Sequence, residues 1–142
     1  MPRTEILHKE SNACPSELCH IRKAVAHASH QLGFSQQDSD AIVLAIDEAC
    51  TNIIRYAYKD CKQGRVVLDV FSDGTQAIFR LRDNAPKSPK DCLEVKKIDL
   101  KKPGGLGVML IQQVMDSVAF VETEASAGNT LEMKKKLPME KQ

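Results

Sequence analysis

Glu48 and Asn52 stand four residues apart in the run Asp47-Glu48-Ala49-Cys50-Thr51-Asn52-Ile53-Ile54-Arg55-Tyr56. On a helix that spacing projects both side chains from nearly the same face, one turn apart. A carboxylate in such a place can accept a proton or orient a water, and an amide oxygen is a hard ligand suited to Mg²⁺. Arg55, one residue short of the next turn, brings a guanidinium able to reach phosphate oxygens. A solvated polar helix face is the plain alternative.

Two further segments carry chemistry. In Arg82-Asp83-Asn84-Ala85-Pro86 an aspartate closes an alternating apolar run. At the end of a buried strand its carboxylate is costly unless it finds donors; the exocyclic amine of adenine is one, and a turn backbone is another. Gly104-Gly105-Leu106-Gly107 opens an apolar helical run. Glycines let the backbone approach an anion, and a helix N-terminus presents free N–H groups with positive dipole density. The segment is neither GxxxxGK[ST] nor GxGxxG, and by itself it reads equally as a flexible joint.

The elements that must position these groups follow from periodicity. Residues 4–9 suit a short edge strand, followed by a turn-rich stretch from Ser11 to Ser16. Leu18, Ile21, Val25, Ala28 and Leu32 recur at steps of three and four, which predicts a first amphipathic helix stopped by Gly33. Ser35 is a suitable N-cap for a second helix whose stripe is Ile42, Ala45, Ile46, Ala49, Ile53 and Ala57, ending near Tyr58. Arg65–Phe71 and Gln76–Arg82 predict a hairpin turned at Asp73-Gly74. Order dissolves over about 20 residues after Asp83, a length that in a compact domain suits a functional lid. A helix from Leu106 to Met115 follows, then a hairpin of Val118–Glu122 and Thr130–Leu137 turned at Ala127-Gly128-Asn129. Strands grouped as hairpins predict an α+β two-layer sandwich, a mostly antiparallel sheet with helices on one face.

Bulk properties set the frame. A chain of 142 residues suits one domain, with no repeat and no second unit. Aromatics make up 4% with no Trp, so the core must be aliphatic. Lys and Arg total 20 against 19 Asp and Glu, which argues against direct nucleic-acid or membrane binding by a general field. The clusters Lys96, Lys97, Lys101, Lys102 and Lys134–Lys136 read as solvated surface, with phosphate contact on lid closure the functional alternative for the first. Five cysteines, an odd number without a CxxC, match no zinc ribbon. No apolar h-region follows Met1, and no apolar run approaches the roughly 18–20 residues of a membrane span. A cytoplasmic protein with reduced thiols is expected. His27 and His30 could clip a metal and Cys50 could serve redox chemistry, but no further ligand spacing supports either.

Taken together, Glu-x-x-x-Asn on a helix, Asp-x-Ala after a hairpin and GGLG opening a helix resemble the N, G1 and G2 boxes of the GHKL ATPase superfamily. The runs from Ala45 to Tyr58, Gly104 to Val118 and Gly128 to Met133 are similar to the anti-sigma factor serine/threonine kinases, a likeness reaching from about Ile6 to Leu137. The resemblance implies one ATP-binding kinase domain over residues 1–142 with an ATP lid at about 84–104. It implies Glu48 as the general base toward a Ser or Thr hydroxyl and Asn52 as the Mg²⁺ ligand. Asp83 and Ala85 would line the adenine site, and Arg55, Gly105, Leu106 and Gly107 the phosphate side. An anti-anti-sigma (STAS-like) substrate, a sigma factor or other regulator as alternating partner, and a homodimer are also implied. Two positions depart from the pattern: Ala85 stands where the G1 box usually has Gly, and Tyr56 where these kinases usually have His. A nucleotide-gated binding module without catalysis and the ATP-binding part of a histidine kinase system remain open alternatives.

Overall fold

The computed structural model describes residues 3–57, 64–83, 105–121 and 130–138. Within them the chain runs β1 (Thr4–Asn12), α1 (Leu18–Gln31), α2 (Gln36–Ala57), β2 (Arg65–Ser72), β3 (Gln76–Asp83), α3 (Gly105–Val114), β4 (Ser117–Val121) and β5 (Thr130–Lys136), with a 3-10 turn at Pro15–Glu17 before α1. The expected lid, the end of the second helix at Tyr58 and the turn at Ala127-Gly128-Asn129 lie outside the described residues.

Local signals set the helix ends. Gly33 adopts φ +92°, a conformation open to residues without a Cβ. Its N–H donates to the His30 carbonyl at 3.0 Å, and that of Phe34 to the Ser29 carbonyl at 3.1 Å. This paired closure satisfies carbonyls the helix leaves open, while Phe34 folds back into the core. The next helix starts at once: Ser35 Oγ accepts the Asp38 N–H at 3.1 Å, and Asp38 places its negative charge in the first turn.

The sheet has order β1-β2-β3-β5-β4, and every described pairing is antiparallel. β1 runs past its expected end at residue 9, because Glu10, Ser11 and Asn12 keep pairing with Val67, Val66 and Arg65. Backbone pairing there outweighs the turn preference of Ser and Asn. In the β2–β3 turn, Asp73 Oδ1 accepts the N–H groups of Thr75 (2.9 Å) and Gln76 (2.7 Å), and Gly74 takes φ +92°. β5 inserts between β3 and the edge strand β4, so the chain crosses from β3 to the far edge and then returns.

Strand alternation divides the sheet into two faces. Val66, Leu68 and Val70 pair with Asp83, Leu81 and Phe79, and Phe79 in turn pairs with Met133. These apolar residues share one core with Ile21 and Val25 of α1, Ile42, Ala45, Ile46 and Ala49 of α2, and Ile111 of α3. The helices therefore cover that face. The other face carries His8, Asp69, Arg80, Arg82 and Glu132, a ladder of charges in which Arg80 Nε donates to Glu132 Oε2 at 2.6 Å.

Candidate functional site

α2 is the element that carries the most chemistry. Its buried stripe is Ile42, Ala45, Ile46, Ala49 and Cys50, with Leu44 turned outward at 49% exposure. Glu48 and Asn52 fall on the shoulder of that stripe, one turn apart, and both are half-buried. Such a position lets a polar group line a cleft at the edge of the core. Asp47, next to Glu48, accepts a hydrogen bond from Arg22 of α1 at 2.9 Å, which ties the two helices together beside the carboxylate. No periodicity marks Arg22 for this role, and sequence reasoning missed it.

Asn52 holds the most telling atom. Its Oδ1 is buried and has no hydrogen-bond partner among the described residues. A buried polar atom left unpaired costs about 1–3 kcal/mol, and a water, a neighbouring group or a bound ion can each satisfy it; the hydroxyls of Ser11, Ser29, Ser39 and Thr130 share this state among the described residues. An amide oxygen is a hard donor of the type Mg²⁺ prefers. The residue thus fits a magnesium ligand, with Asn52 the side chain that would hold the ion.

Asp83 closes β3. The series Ala77, Phe79, Leu81, Asp83 lies on the helix-covered face, and Asp83 stands opposite Val66 at the start of β2. The first three are fully buried and Asp83 half-buried. Its carboxylate is thereby carried to the end of the buried strand, at the edge of the helix–sheet layer.

Gly105, Leu106 and Gly107 form the first turn of α3. The N–H groups of that turn have no partner within the helix, and the helix dipole adds positive potential. α3 packs against α2, and its far end is fastened: Lys135 Nζ donates to the Val114 carbonyl at 2.9 Å and the Lys136 N–H to Asp116 Oδ2 at 2.6 Å. Lys135, expected as solvated surface, instead caps a helix C-terminus.

The structure thus puts Glu48 and Asn52 on α2, Asp83 on β3 and the glycine turn on α3, all in the helix-covered layer. Arg55 belongs to the last turn of α2, with its side chain outside the description, and Ala85 lies outside the described residues. Cys50 is buried, and that burial, with the nearby Asp47 charge adding to it, pushes its thiol up to about 12, so it packs as a neutral group.

Residues 12–135 match the histidine kinase-like ATPase domain family. The chain belongs to that family. Among curated proteins it is similar to serine-protein kinase RsbW of Bacillus licheniformis, 29% identical over 96% of this chain and 89% of that one. It is also similar to serine-protein kinase RsbW of Bacillus cereus, 30% identical over 99% and 90%. Among solved structures it is similar to the RsbU and RsbW domains of a Mycobacterium tuberculosis protein, with TM-score 0.63 and 15% identity. There it covers 96% of this chain but 32% of that longer one. A mycobacterial sensor histidine kinase, MprB, shares the fold at TM-score 0.53 and 14% identity, over 94% of this chain and all of that one. The expected α+β architecture with an antiparallel sheet under a helical layer is thus the histidine kinase-like ATPase fold. No described helix is long and apolar enough to cross a membrane.

Proposed function

We propose that the chain is an ATP- and Mg²⁺-dependent serine/threonine protein kinase of the anti-sigma factor type. It would phosphorylate a STAS-like antagonist in the cytoplasm and hold a sigma factor or other regulator in alternation. The observation that carries this reading is the pair on α2, a half-buried Glu48 one turn from an Asn52 whose amide oxygen is buried without a partner among the described residues. The likeness to proteins named serine-protein kinase supports it.

In this reading Glu48 takes the proton from the substrate hydroxyl as its oxygen attacks the γ-phosphorus. The bond from that phosphorus to the bridging oxygen of ADP breaks, and ADP leaves with the electron pair. Asn52 would hold a Mg²⁺ ion, which would supply charge neutralisation for the phosphate oxygens. Asp83 accepts the adenine amine and sets the nucleotide's depth, while the first-turn N–H groups of α3 meet phosphate oxygens. Phosphoryl transfer asks for positioning and charge more than covalent machinery, which suits a site with a single base. Partner exchange follows when nucleotide state alters the two affinities, as linkage requires.

Incubation with labelled ATP, Mg²⁺ and a STAS-like partner tests the reading. It predicts acid-stable phosphate on a partner Ser or Thr, with transfer at least 100-fold slower in Glu48→Gln. The rival binding module, suggested by Ala85 and Tyr56, predicts ATP-dependent partner affinity without transfer. Glu48→Gln behaving as wild type would contradict the kinase, and acid-labile phosphate on a partner His would replace it with the histidine kinase reading.

A further inference from the structure

β1 departs from regular pairing at one place. Its ladder with β2 steps evenly from Asn12↔Arg65 to Leu7↔Val70, and then Glu5 pairs with Phe71, leaving Ile6 as the extra residue. On an unbroken strand Glu5 and His8, three apart, would point to opposite faces. The bulge resets the alternation and brings Glu5, His8 and Asp69 together on the sheet face away from the helices. The donor atoms of these three lie within 4.8 Å of one another.

The geometry points to a divalent transition-metal site, suited to Zn²⁺, formed by His8 Nδ1, Asp69 Oδ1 and a Glu5 carboxylate oxygen, with a fourth position open to water. One imidazole nitrogen and two carboxylate oxygens favour Zn²⁺ or its first-row neighbours over Mg²⁺, which prefers oxygen alone. At roughly 2.0–2.2 Å from the ion, tetrahedral donors stand about 3.3 Å apart. His8 Nδ1 is already in contact with Asp69 Oδ1, so the ion takes the place of the proton on Nδ1; the imidazolium releases one proton on binding, and the neutral ring binds as the Nε2–H tautomer. Exposed Glu5 needs a rotamer change to complete the third bond.

The outer shell is in place as well. His8 Nε2 faces Glu10 Oε2 at 3.3 Å, the carboxylate–histidine arrangement that orients a ligating ring. Arg82 donates to the other Asp69 oxygen at 3.2 Å, and Arg65 to Glu10 at 3.4 Å. Glu5, Asp69 and Glu10 stand beside Arg65 and Arg82, while Arg80, opposite Asp69, is paired with Glu132 and Arg3 lies over the Phe71 ring. The hydrogen bonds to Asp69 and then Glu10 raise the His8 pKa above its ordinary value. The site lies on the opposite sheet face from Asp83, so it does not depend on the kinase reading.

Calorimetric titration of ZnCl₂ into the full nucleotide-free chain, with thiols kept reduced, tests the proposal. It predicts one ion per chain, with affinity at least tenfold lower in Glu5→Gln and His8→Gln and about tenfold lower in Glu10→Gln. Because Glu5 is exposed, Glu5→Gln leaves the fold undisturbed. Co²⁺ as a second probe should give visible d–d bands without a thiolate charge-transfer band. No binding at micromolar zinc, unchanged affinity in Glu5→Gln and His8→Gln, or a thiolate band from cysteine ligation would each overturn it.

Discussion

Asp83 stands opposite Val66 across the β2–β3 ladder, so its carboxylate shares the helix-covered face with Leu81 and Phe79. An apolar strand that ends in a carboxylate on its core face offers an acceptor at the rim of the layer. If adenine supplies the donor, Asp83→Asn presents an amide where a pure acceptor stood. Hydrogen bonds to charged groups contribute about 1.5–3 kcal/mol, so ATP affinity should fall by at least about tenfold. Isothermal titration measures it; an affinity within a factor of two of wild type would count against the assignment.

Asn52 sets stability against function. Its oxygen is buried without a partner among the described residues; if nothing else satisfies it in the nucleotide-free fold, an apolar residue of similar size removes the cost. Asn52→Leu should raise nucleotide-free stability by about 1 kcal/mol while abolishing the Mg²⁺-dependent part of ATP binding. Thermal unfolding with and without MgATP reads both. A destabilised variant would mean that Asn52 is satisfied in solution by a fixed structural partner.

Gly33 isolates a backbone effect. Nothing lies within 4 Å of where a Cβ would stand, so Gly33→Ala meets only the cost of positive φ, about 1–2 kcal/mol. Gly33→Asn should lose less, since Asn tolerates that conformation better. Chemical denaturation distinguishes the two.

Local signals are legible in the sequence. Ser35, Gly33 and Asp73-Gly74 act within a few residues of themselves, and each performs the local role its type suggests. The α2 stripe and the Glu48–Asn52 spacing are equally local, so that half of the candidate site was legible. Long-range pairing was not. Nothing in the pattern of β4 and β5 says that β5 enters beside β3. Nor does residue type disclose the bulge at Ile6, the Arg22–Asp47 pair or the capping role of Lys135. Each depends on which distant element arrives, a matter of tertiary packing rather than propensity.

Asp73 gives the acid limb of stability. Backbone N–H groups of Gln76 and Thr75, with the Thr75 hydroxyl, hold its pKa down at about 2 against an ordinary 3.8. A depressed carboxylate contributes stability that is full above the unfolded value and is lost as pH falls through the folded one. The difference in Tm between wild type and Asp73→Ala should therefore hold above pH 3.8 and shrink as pH approaches 2. A difference independent of pH over that window would show that the turn does not rely on the charge.

The central claim is that α2, the end of β3 and the first turn of α3 serve one nucleotide. A crystal structure with Mg²⁺ and a non-hydrolysable ATP analogue tests it most directly. The account predicts Asn52 Oδ1 on the metal, the Asp83 carboxylate at the adenine amine, and the N–H groups of the Gly105–Gly107 turn at phosphate oxygens. A nucleotide seated elsewhere, with Asn52 and Asp83 facing separate surroundings, would contradict it.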